Sequence, residues 1–299
     1  MSRIFSEVII VGAGSAGCAA AIQLKRSGMD PLLFEKDQIG GLANNAYSIE
    51  NYLGFPDGIT GVNFVDLLKK HLFLLEIKLI KEEIIEINWN SKKNTYFINS
   101  NLKKYESNYL ILATGTVPKK TSILGEEELI KRKLLFFEPI KIQKEDIINK
   151  KIAIIGGGDA AFDYALNLEE LAAHITIFNR TNSFQCLPLL FKRVRQKKKK
   201  ITIKINKRIV KFGYKEFQNS PIQAELEFAD NSKAYFNIVL IAIGRNPNSF
   251  LKNNLLEENV EKQGLFIIGD LKNKSYRQIS LAASDGIKCA MKIVKEKNF

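Results

Sequence analysis

Two glycine-rich turns in this chain have the composition and context of pyrophosphate-binding sites. Gly12-Ala13-Gly14-Ser15-Ala16-Gly17 follows the apolar run Val8–Val11, and Gly156-Gly157-Gly158-Asp159-Ala160-Ala161 follows Lys151–Ile155. A glycine turn between a buried strand and a helix directs backbone N–H groups and the positive helix end toward a pyrophosphate. The residues expected to make these contacts are Gly12, Gly14, Ser15, Ala16 and Gly17 in the first turn and Gly156, Gly158, Asp159 and Ala160 in the second.

The residue that ends the following strand differs between the two turns. Glu35 stands at the spacing of a carboxylate that accepts hydrogen bonds from ribose hydroxyls. After the second turn, the corresponding strand ends in Phe178-Asn179-Arg180. An arginine at that edge can bind a 2′-phosphate. Arg180 is therefore either a phosphate ligand or an ordinary surface residue, and the second nucleotide is expected to be NADPH or NADH.

The elements that must position these turns alternate strand, turn and helix twice, which predicts an α/β fold with parallel sheets. Helices are expected over residues 16–25, 160–171 and 278–297. Short strands are expected over residues 31–35, 109–113, 174–178, 224–228 and 265–268. The stretch between the first helix and the second glycine turn is otherwise expected to be rich in loops. Turn residues near 117–119 and 244–247 suit crossings between two domains.

Composition narrows the class of protein. With 299 residues, of which 45% are hydrophobic, the chain can build two domain cores. Its apolar runs fall short of the ~20 residues that cross a bilayer, and without a leader pattern we expect a cytoplasmic protein. The net charge of +13 peaks in a lysine- and arginine-rich run at residues 192–200. That run predicts a solvated surface or a docking face for an acidic partner; no nucleic-acid recognition motif accompanies it.

The cysteines do not form a recognisable site. Cys18, Cys186 and Cys289 are widely separated and include no Cys-x-x-Cys pair. Neither a disulfide framework nor a metal site is predicted from them. Cys18 and Cys289 lie in helical patterns, where we expect small buried hydrophobic residues.

Further motifs give the whole chain a resemblance to low-molecular-weight thioredoxin reductases. They are Gly40-Gly41-Leu42, Glu50-Asn51-Tyr52, Ala113-Thr114-Gly115, Gly244-Arg245-Asn246-Pro247, Gly269-Asp270 and Tyr276-Arg277-Gln278, in the order and spacing of that family. The resemblance implies two Rossmann-like, three-layer domains. Residues 1–117 and 245–299 would form an FAD-binding domain, into which residues 118–244 insert an NAD(P)H-binding domain. It also implies a homodimer.

Residues carried over from this resemblance complete the predicted cofactor sites. The glycines of the first turn would hold the FAD pyrophosphate and Glu35 the adenosine ribose. The remaining FAD contacts would come from Gly41, Leu42, Asn51, Ala113, Thr114, Gly115, Gly269, Asp270, Arg277, Gln278 and Ile279. Gly244 would lie near the nucleotide at the second crossing.

Two departures from the family pattern bear on function. Members that reduce thioredoxin carry Cys-x-x-Cys-Asp before the second glycine turn, and the counterpart here is Leu134-Leu135-Phe136-Phe137-Glu138. Attack on a disulfide needs a thiolate, so no direct reduction of thioredoxin is expected. The family's three-arginine phosphate cluster retains one member, Arg180, which opens the site to NADH.

The sequence thus predicts an FAD-dependent NAD(P)H oxidoreductase with a non-disulfide electron acceptor. An acidic ferredoxin or flavodoxin would suit the basic surface. Glu138 is the candidate catalytic acid beside the flavin, with an exposed turn carboxylate as the alternative reading. A different class of function, a non-catalytic flavin or nucleotide sensor acting through a protein partner, would use the same binding residues.

Overall fold

The computed structural model describes residues 3–218, 220–251, 255 and 264–297. By its internal contacts the chain divides into two units. Unit 1 comprises Met1–Asn44, Ile49–Val117 and Asn246–Phe299, and unit 2 comprises Asn45–Ser48 and Pro118–Arg245. Where the chain passes between them, strands β9 (Thr116–Pro118) and β18 (Arg245–Pro247) pair as a two-stranded sheet.

Unit 1 is built on a five-stranded parallel sheet in the order β19-β8-β2-β3-β4. These strands are β2 (Val8–Val11), β3 (Leu32–Phe34), β4 (Lys78–Ile80), β8 (Tyr109–Leu112) and β19 (Leu265–Ile267). Three helices accompany them: α1 (Ser15–Arg26), α2 (Gly61–Leu74) and α7 (Ile279–Lys297). A second, four-stranded sheet has the order β1-β7-β6-β5, formed by Ile4–Phe5, Lys104–Ser107, Thr95–Ser100 and Ile84–Asn90.

The parallel sheet of unit 1 is covered on both faces, which explains why Val8–Val11 is apolar throughout. Val8 and Ile10 pack with α1 and α7 in one core. Ile9 and Val11 point the other way, into a core shared with the four-stranded sheet. The result is three layers: helices, parallel sheet and a largely antiparallel sheet.

Helices α1 and α7 cross at small residues. A Cβ added at Gly286 would lie 2.2 Å from the carbonyl oxygen of Ala16 and 2.9 Å from the amide nitrogen of Ala20. The two backbones can approach this closely because Gly286 has no side chain. This crossing joins the N-terminal and C-terminal parts of unit 1.

Unit 2 repeats the plan with a parallel sheet in the order β10-β17-β11-β12-β13. Its strands are β10 (Leu135–Phe136), β11 (Lys151–Ile155), β12 (His174–Phe178), β13 (Ile201–Lys204) and β17 (Ile238–Ile241). Its helices are α3 (Glu126–Lys131), α4 (Lys144–Ile147), α5 (Asp159–Leu168) and α6 (Pro188–Gln196). An antiparallel sheet of β14 (Ile209–Phe217), β15 (Ser220–Phe228) and β16 (Lys233–Phe236) forms the third layer.

Alternate residues of the unit 2 strands enter different cores. Ile152 and Ile154 of β11 pack in a core that includes Phe162 of α5. Ala153, between them, belongs to the core shared with Phe212 and Leu226 of the antiparallel sheet. The prediction of an α/β fold with parallel sheets and two Rossmann-like domains is confirmed.

One expectation is wrong: the region after the first helix is not mainly loop. Residues 61–107 contain α2 and most of the four-stranded sheet. A register shift between Ile84 and Glu86 interrupts β5, whose burial pattern therefore lacks clean alternation. Period-two alternation is the main sequence signal of a half-buried strand, and the bulge removes it.

The packing at Gly286 generates a stability prediction. Alanine favours a helix by roughly 1 kcal/mol over glycine, but in Gly286→Ala the methyl group overlaps the α1 backbone. We expect the free energy of unfolding to fall by about 1–3 kcal/mol through overpacking. The midpoint of thermal unfolding should therefore drop in calorimetry, while the control Lys288→Ala, at an exposed position of the same helix, stays near wild type. An unchanged or higher midpoint for Gly286→Ala would contradict this packing.

Candidate functional site

The first glycine turn lies between β2 and α1. At two of its three glycines a side chain would collide with the backbone, and at the third a side chain would face open space. A Cβ at Gly12 would lie 2.5 Å from the carbonyl oxygen of Ala113, and one at Gly17 would lie 1.9 Å from the carbonyl oxygen of Gly12. No atom lies within 4 Å of a Cβ built on Gly14. The first and third glycines permit backbone packing, and the second leaves a cradle at the start of α1, where Ser15 and Ala16 form the first turn.

Glu35 is held against this cradle by the backbone. One carboxylate oxygen accepts a hydrogen bond from Ala13 N–H at 2.8 Å, and the other accepts from Asp37 N–H at 2.9 Å. Each oxygen of an ionised carboxylate can accept further hydrogen bonds. The arrangement fits a ribose whose hydroxyl groups donate to Glu35.

The loop that carries Gly41 and Leu42 is tied to the same turn. Gly40 N–H donates to the carbonyl of Ala13 at 2.8 Å. The following residues form the short helix Gly41–Asn45, in which Gly41 has a φ of 52°. Asn44, which sequence reasoning missed, fastens this helix through hydrogen bonds from Nδ2 to the carbonyl oxygens of Ile39 and Gly41.

Unit 1 brings predicted residues from both ends of the chain into direct contact. Asn51 Nδ2 donates to Gln278 Oε1 at 2.8 Å. Gln278 lies between half-buried Arg277 and Ile279, the first residue of α7. The side chains expected around a flavin therefore come together although more than half the chain separates them in sequence.

The remaining unit 1 residues form two further turns. The backbone carbonyl of Ala113 packs against Gly12 of the first glycine turn. Thr114 Oγ1 donates to the carbonyl of Asn248 at 2.9 Å, and Gly115 has a φ of 64°. Gly269 opens the short helix Gly269–Leu271, which contains Asp270, and has a φ of 65°.

Asp285 was not predicted from the sequence and fixes the Gly269 turn. Its Oδ2 accepts hydrogen bonds from Gly269 N–H at 3.2 Å and from Asn273 Nδ2 at 2.7 Å. An acidic residue next to Gly286, among the small residues 282–286 of α7, was the available signal. Asp285 therefore holds the Gly269 turn in place through these two hydrogen bonds.

The second glycine turn repeats the pattern in unit 2. A Cβ at Gly156 would lie 2.3 Å from the carbonyl oxygen of Ala242, whereas the nearest atom to a Cβ at Gly158 is 3.9 Å away. Asp159 Oδ1 accepts a hydrogen bond from Leu187 N–H at 2.7 Å, and Ala160 is exposed. This turn also leaves an open cradle at the start of a helix, which fits a second pyrophosphate.

The residues after β12 lie at the same edge of the sheet as this cradle. Asn179 is buried, with its side chain against Gly157, while Arg180 is exposed. Gly244 follows the end of β17 with a φ of 106°, and its carbonyl accepts a hydrogen bond from Lys119 N–H at 3.0 Å.

The C-terminal part of the basic run, residues 197–200, lies at the opposite edge of the sheet from the cradle. Lys200 immediately precedes the first residue of β13, whereas Asn179 follows the last residue of the parallel strand β12. Lys197 pairs with Glu169 at 2.9 Å, and Lys200 Nζ donates to the carbonyl of Ala172 at 2.9 Å. These lysines are thus removed from the second nucleotide cradle.

Glu138 forms an ion pair within unit 2. Its carboxylate lies 2.7 Å from the guanidinium of Arg245, and both side chains are largely buried. Tyr164 lies near this pair. Burial, reinforced by the charge of Glu138, raises the pKa of Tyr164 to about 12.

None of the cysteine thiols is activated. Cys18 donates to the carbonyl of Ala13 at 3.2 Å in the core, and burial raises its pKa. Burial raises the pKa of Cys289 to about 12. Cys186 is half-buried, and burial followed by the charge of Asp159 raises its pKa. A raised pKa lowers the fraction of reactive thiolate at neutral pH.

The described residues contain no cluster of three histidine, cysteine or acidic side chains placed to hold a metal ion. In the same part of the chain, every helix is too short or too polar to span a membrane.

Comparison with known proteins agrees with this arrangement of two cradles. A family model described as pyridine nucleotide-disulphide oxidoreductase matches residues 6–286. Thioredoxin reductase from Mycolicibacterium smegmatis is 28% identical over 312 aligned positions, which cover 99% of this chain and 97% of that protein. Thioredoxin reductase from Chlamydia pneumoniae is also 28% identical, with 96% of this chain and 97% of that protein covered.

Solved structures give the same result at the level of the fold. The crystal structure of Lactococcus lactis thioredoxin reductase superposes with a TM-score of 0.82 at 25% identity, covering 97% of this chain and 99% of that one. The crystal structure of T. acidophilum thioredoxin reductase matches with a TM-score of 0.82 at 24% identity, covering 99% of this chain and 100% of that one. With its family match spanning both glycine turns, the chain belongs to the pyridine nucleotide-disulphide oxidoreductase family, within which it is similar to thioredoxin reductases.

Proposed function

We propose that this protein is an FAD-dependent oxidoreductase that exchanges hydride with NADH or NADPH and passes electrons to an acceptor other than a disulfide. The observation that carries the proposal is the presence of two open dinucleotide cradles combined with apolar side chains where a redox disulfide would stand. FAD, when bound, supplies the redox chemistry by taking a hydride from a reduced nicotinamide. The chain's own residues bind and orient the two nucleotides.

FAD is assigned to the domain formed by residues 1–117 and 245–299. The cradle at Gly14 and the N-terminus of α1 would receive the pyrophosphate, and Glu35 the adenosine ribose. Asn51 and Gln278, joined by a hydrogen bond, and half-buried Arg277 would bound the flavin end. The resemblance also supports a homodimer.

The nicotinamide nucleotide is assigned to residues 118–244. Gly156, Gly158 and the start of α5 would receive its pyrophosphate. Arg180 is exposed at the edge of the cradle and is the candidate ligand of a 2′-phosphate. One arginine gives a weaker preference for NADPH than a cluster would.

The segment that replaces the disulfide motif serves the core of unit 2. Leu135 is 2% exposed and belongs to strand β10, which pairs with β17. Leu134 and Phe137 pack against the core shared with the antiparallel sheet. An apolar strand here stabilises the domain and supplies no thiol for exchange, which supports transfer of electrons from the flavin itself.

Glu138 remains the candidate acid on the basis of the resemblance. Its ion pair with Arg245 would fix the position of the carboxylate. A side chain fixed in this way is suited to orient a neighbouring group.

An acidic one-electron carrier of the ferredoxin or flavodoxin class is the acceptor that the charge supports. The net charge of +13 would accelerate encounter with such a partner, and the effect would weaken as salt screens it. A non-catalytic sensor is the competing function. The two functions differ in whether reduced nicotinamide bleaches the bound flavin.

The cradle at Gly14 predicts a variant that folds but does not hold FAD. The backbone at Gly14 is extended, with a φ of -73° that any residue adopts, and a Cβ added there would face open space. In Gly14→Val the side chain would occupy the place of the pyrophosphate. We expect flavin content to fall from close to one per chain to nearly none, measured by absorbance, with circular dichroism unchanged. Gly213→Ala, whose Cβ would make ordinary contact at 3.7 Å, is the control. Full flavin content in Gly14→Val would refute the assignment.

The missing thiol pair predicts flavin reduction without disulfide turnover. Under anaerobic conditions NADH or NADPH should bleach the flavin, while reduction of thioredoxin stays at background because no cysteine pair adjoins the site. The flavin of Cys186→Ser should be bleached at the wild-type rate. Thioredoxin turnover that disappears in Cys186→Ser would overturn the proposed electron path, and a flavin indifferent to both nucleotides would favour the sensor.

Arg180 predicts a selective effect on the phosphorylated nucleotide. A charged hydrogen bond contributes about 1.5–3 kcal/mol, or roughly one to two decades in affinity. Arg180→Ala should weaken NADPH by up to that amount and leave NADH nearly unchanged, as measured by the concentration dependence of flavin reduction at low salt. Lys198→Ala, in the basic run at the opposite sheet edge, should leave both unchanged. An intact ratio of the two nucleotides in Arg180→Ala would remove it as a ligand.

A further inference from the structure

The two glycine turns are built on the same backbone frame, which identifies the counterpart of Glu35 in unit 2. Gly12 N–H donates to the carbonyl of Phe34 at 2.8 Å, and Gly156 N–H donates to the carbonyl of Phe178 at 3.0 Å. Glu35 and Asn179 directly follow these phenylalanines, each the same number of residues after its first glycine. Asn179, not Arg180, therefore occupies the position of the ribose-binding residue.

The side chain of Asn179 lies against the glycine turn. It is 6% exposed, and its Oδ1 and Nδ2 lie 2.7 Å and 2.9 Å from the position that a Cβ on Gly157 would take. Gly157 corresponds to Ala13, whose N–H donates to Glu35. The absence of a side chain at Gly157 is what admits the amide to this position.

Hydrogen bonds fix which way the amide faces. Nδ2 donates to the carbonyl of Ser183 at 2.7 Å and to Thr181 Oγ1 at 3.4 Å. The backbone of Asn179 is also held, since its N–H donates to the carbonyl of Lys204 at 2.8 Å and its carbonyl accepts from Lys207 N–H at 3.0 Å. Both hydrogen bonds of the amide within the described part of the chain use Nδ2, which leaves Oδ1 available as an acceptor at the cradle.

We infer that Asn179 is a specificity-determining residue whose Oδ1 accepts a hydrogen bond from the adenosine 2′-hydroxyl of the nicotinamide nucleotide and thereby shifts the preference of the site toward NADH. The inference rests on the proposed function, in which unit 2 binds that nucleotide. A 2′-hydroxyl can donate a hydrogen bond to Oδ1, whereas a phosphate in its place would present oxygen atoms to an acceptor. Rotation of the amide to present Nδ2 instead would break the hydrogen bond to Ser183.

The amide and Arg180 act in opposite directions. Glu35 is a carboxylate and would exclude a 2′-phosphate by charge as well as by hydrogen bonding. Asn179 is neutral and opposes the phosphate only through the orientation of its dipole, while exposed Arg180 attracts it. The two residues therefore offset each other, and Asn179 reduces the preference for NADPH that Arg180 confers.

The test isolates the 2′-hydroxyl by comparing 5′-ADP with 2′-deoxy-5′-ADP on the FAD-loaded protein, where the flavin site is already filled. One neutral hydrogen bond corresponds to about two- to tenfold in affinity. We expect calorimetry to show that wild type binds ADP tighter by that factor. Asn179→Ala should remove the difference, and Asn179→Asp, which keeps an oxygen acceptor, should retain it.

Thr181→Val is the matched control. It removes a hydroxyl that contacts both Asn179 and Ser183 and leaves Oδ1 in place, so it perturbs the turn without removing the acceptor. If Asn179 acted only by supporting the turn, Asn179→Ala would weaken both nucleotides equally and preserve their ratio. The ADP to 2′-deoxy-ADP ratio of Thr181→Val should equal that of wild type.

Equal affinities of wild type for the two nucleotides, binding of neither, or an unchanged ratio in Asn179→Ala would overturn the inference. Failure of the proposed function has a separate signature. ADP discrimination that depends on Asn179, together with a flavin that NADH does not bleach, would retain the inference and refute the enzyme. A flavin that NADH bleaches, together with equal affinities for ADP and 2′-deoxy-ADP, would support the proposed function and overturn the inference.

Discussion

The close approach of backbone to backbone at the two glycine turns is the constraint on which the rest of this structure depends. Gly12 contacts the carbonyl of Ala113, and Gly17 contacts the carbonyl of Gly12, at distances that exclude any side chain. These contacts set the start of α1 directly at the end of the central strand. Gly14, which lies between these two glycines in the motif, faces open space instead. The same turn therefore combines close backbone packing at Gly12 and Gly17 with the open cradle at Gly14.

The same turn geometry occurs in both units, but the residue that ends the following strand differs in its chemistry. In unit 1 the Glu35 carboxylate accepts the turn's N–H, while in unit 2 the Asn179 amide lies on a bare α-carbon at Gly157. The backbone frames are alike, but one presents charge and the other a neutral dipole. Differences between the two nucleotide sites thus arise from single side chains on a repeated scaffold, and not from different folds.

The strand before the second turn is apolar and carries no thiol. Leu135 is buried in a five-stranded sheet, and the half-buried thiol of Cys186 has a raised pKa. Apolar packing at this position stabilises unit 2, and under the proposed function electrons would leave from the flavin itself. Membership of a disulphide oxidoreductase family is therefore compatible with a different acceptor, because the family's scaffold binds nucleotides independently of the thiols.

The sequence alone determined the two turns, the parallel strands and their helices, because glycine spacing and continuous apolar runs are local signals. It could not show the antiparallel sheet that follows α2, since the bulge at Ile84/Glu86 hides the alternation of strand β5. Nor could it identify Asp285 as a brace or pair Asn51 with Gln278, which are distant along the chain. The direction in which the Asn179 amide faces was likewise decided by tertiary structure, because it depends on the carbonyl of Ser183, and residue type does not encode an orientation.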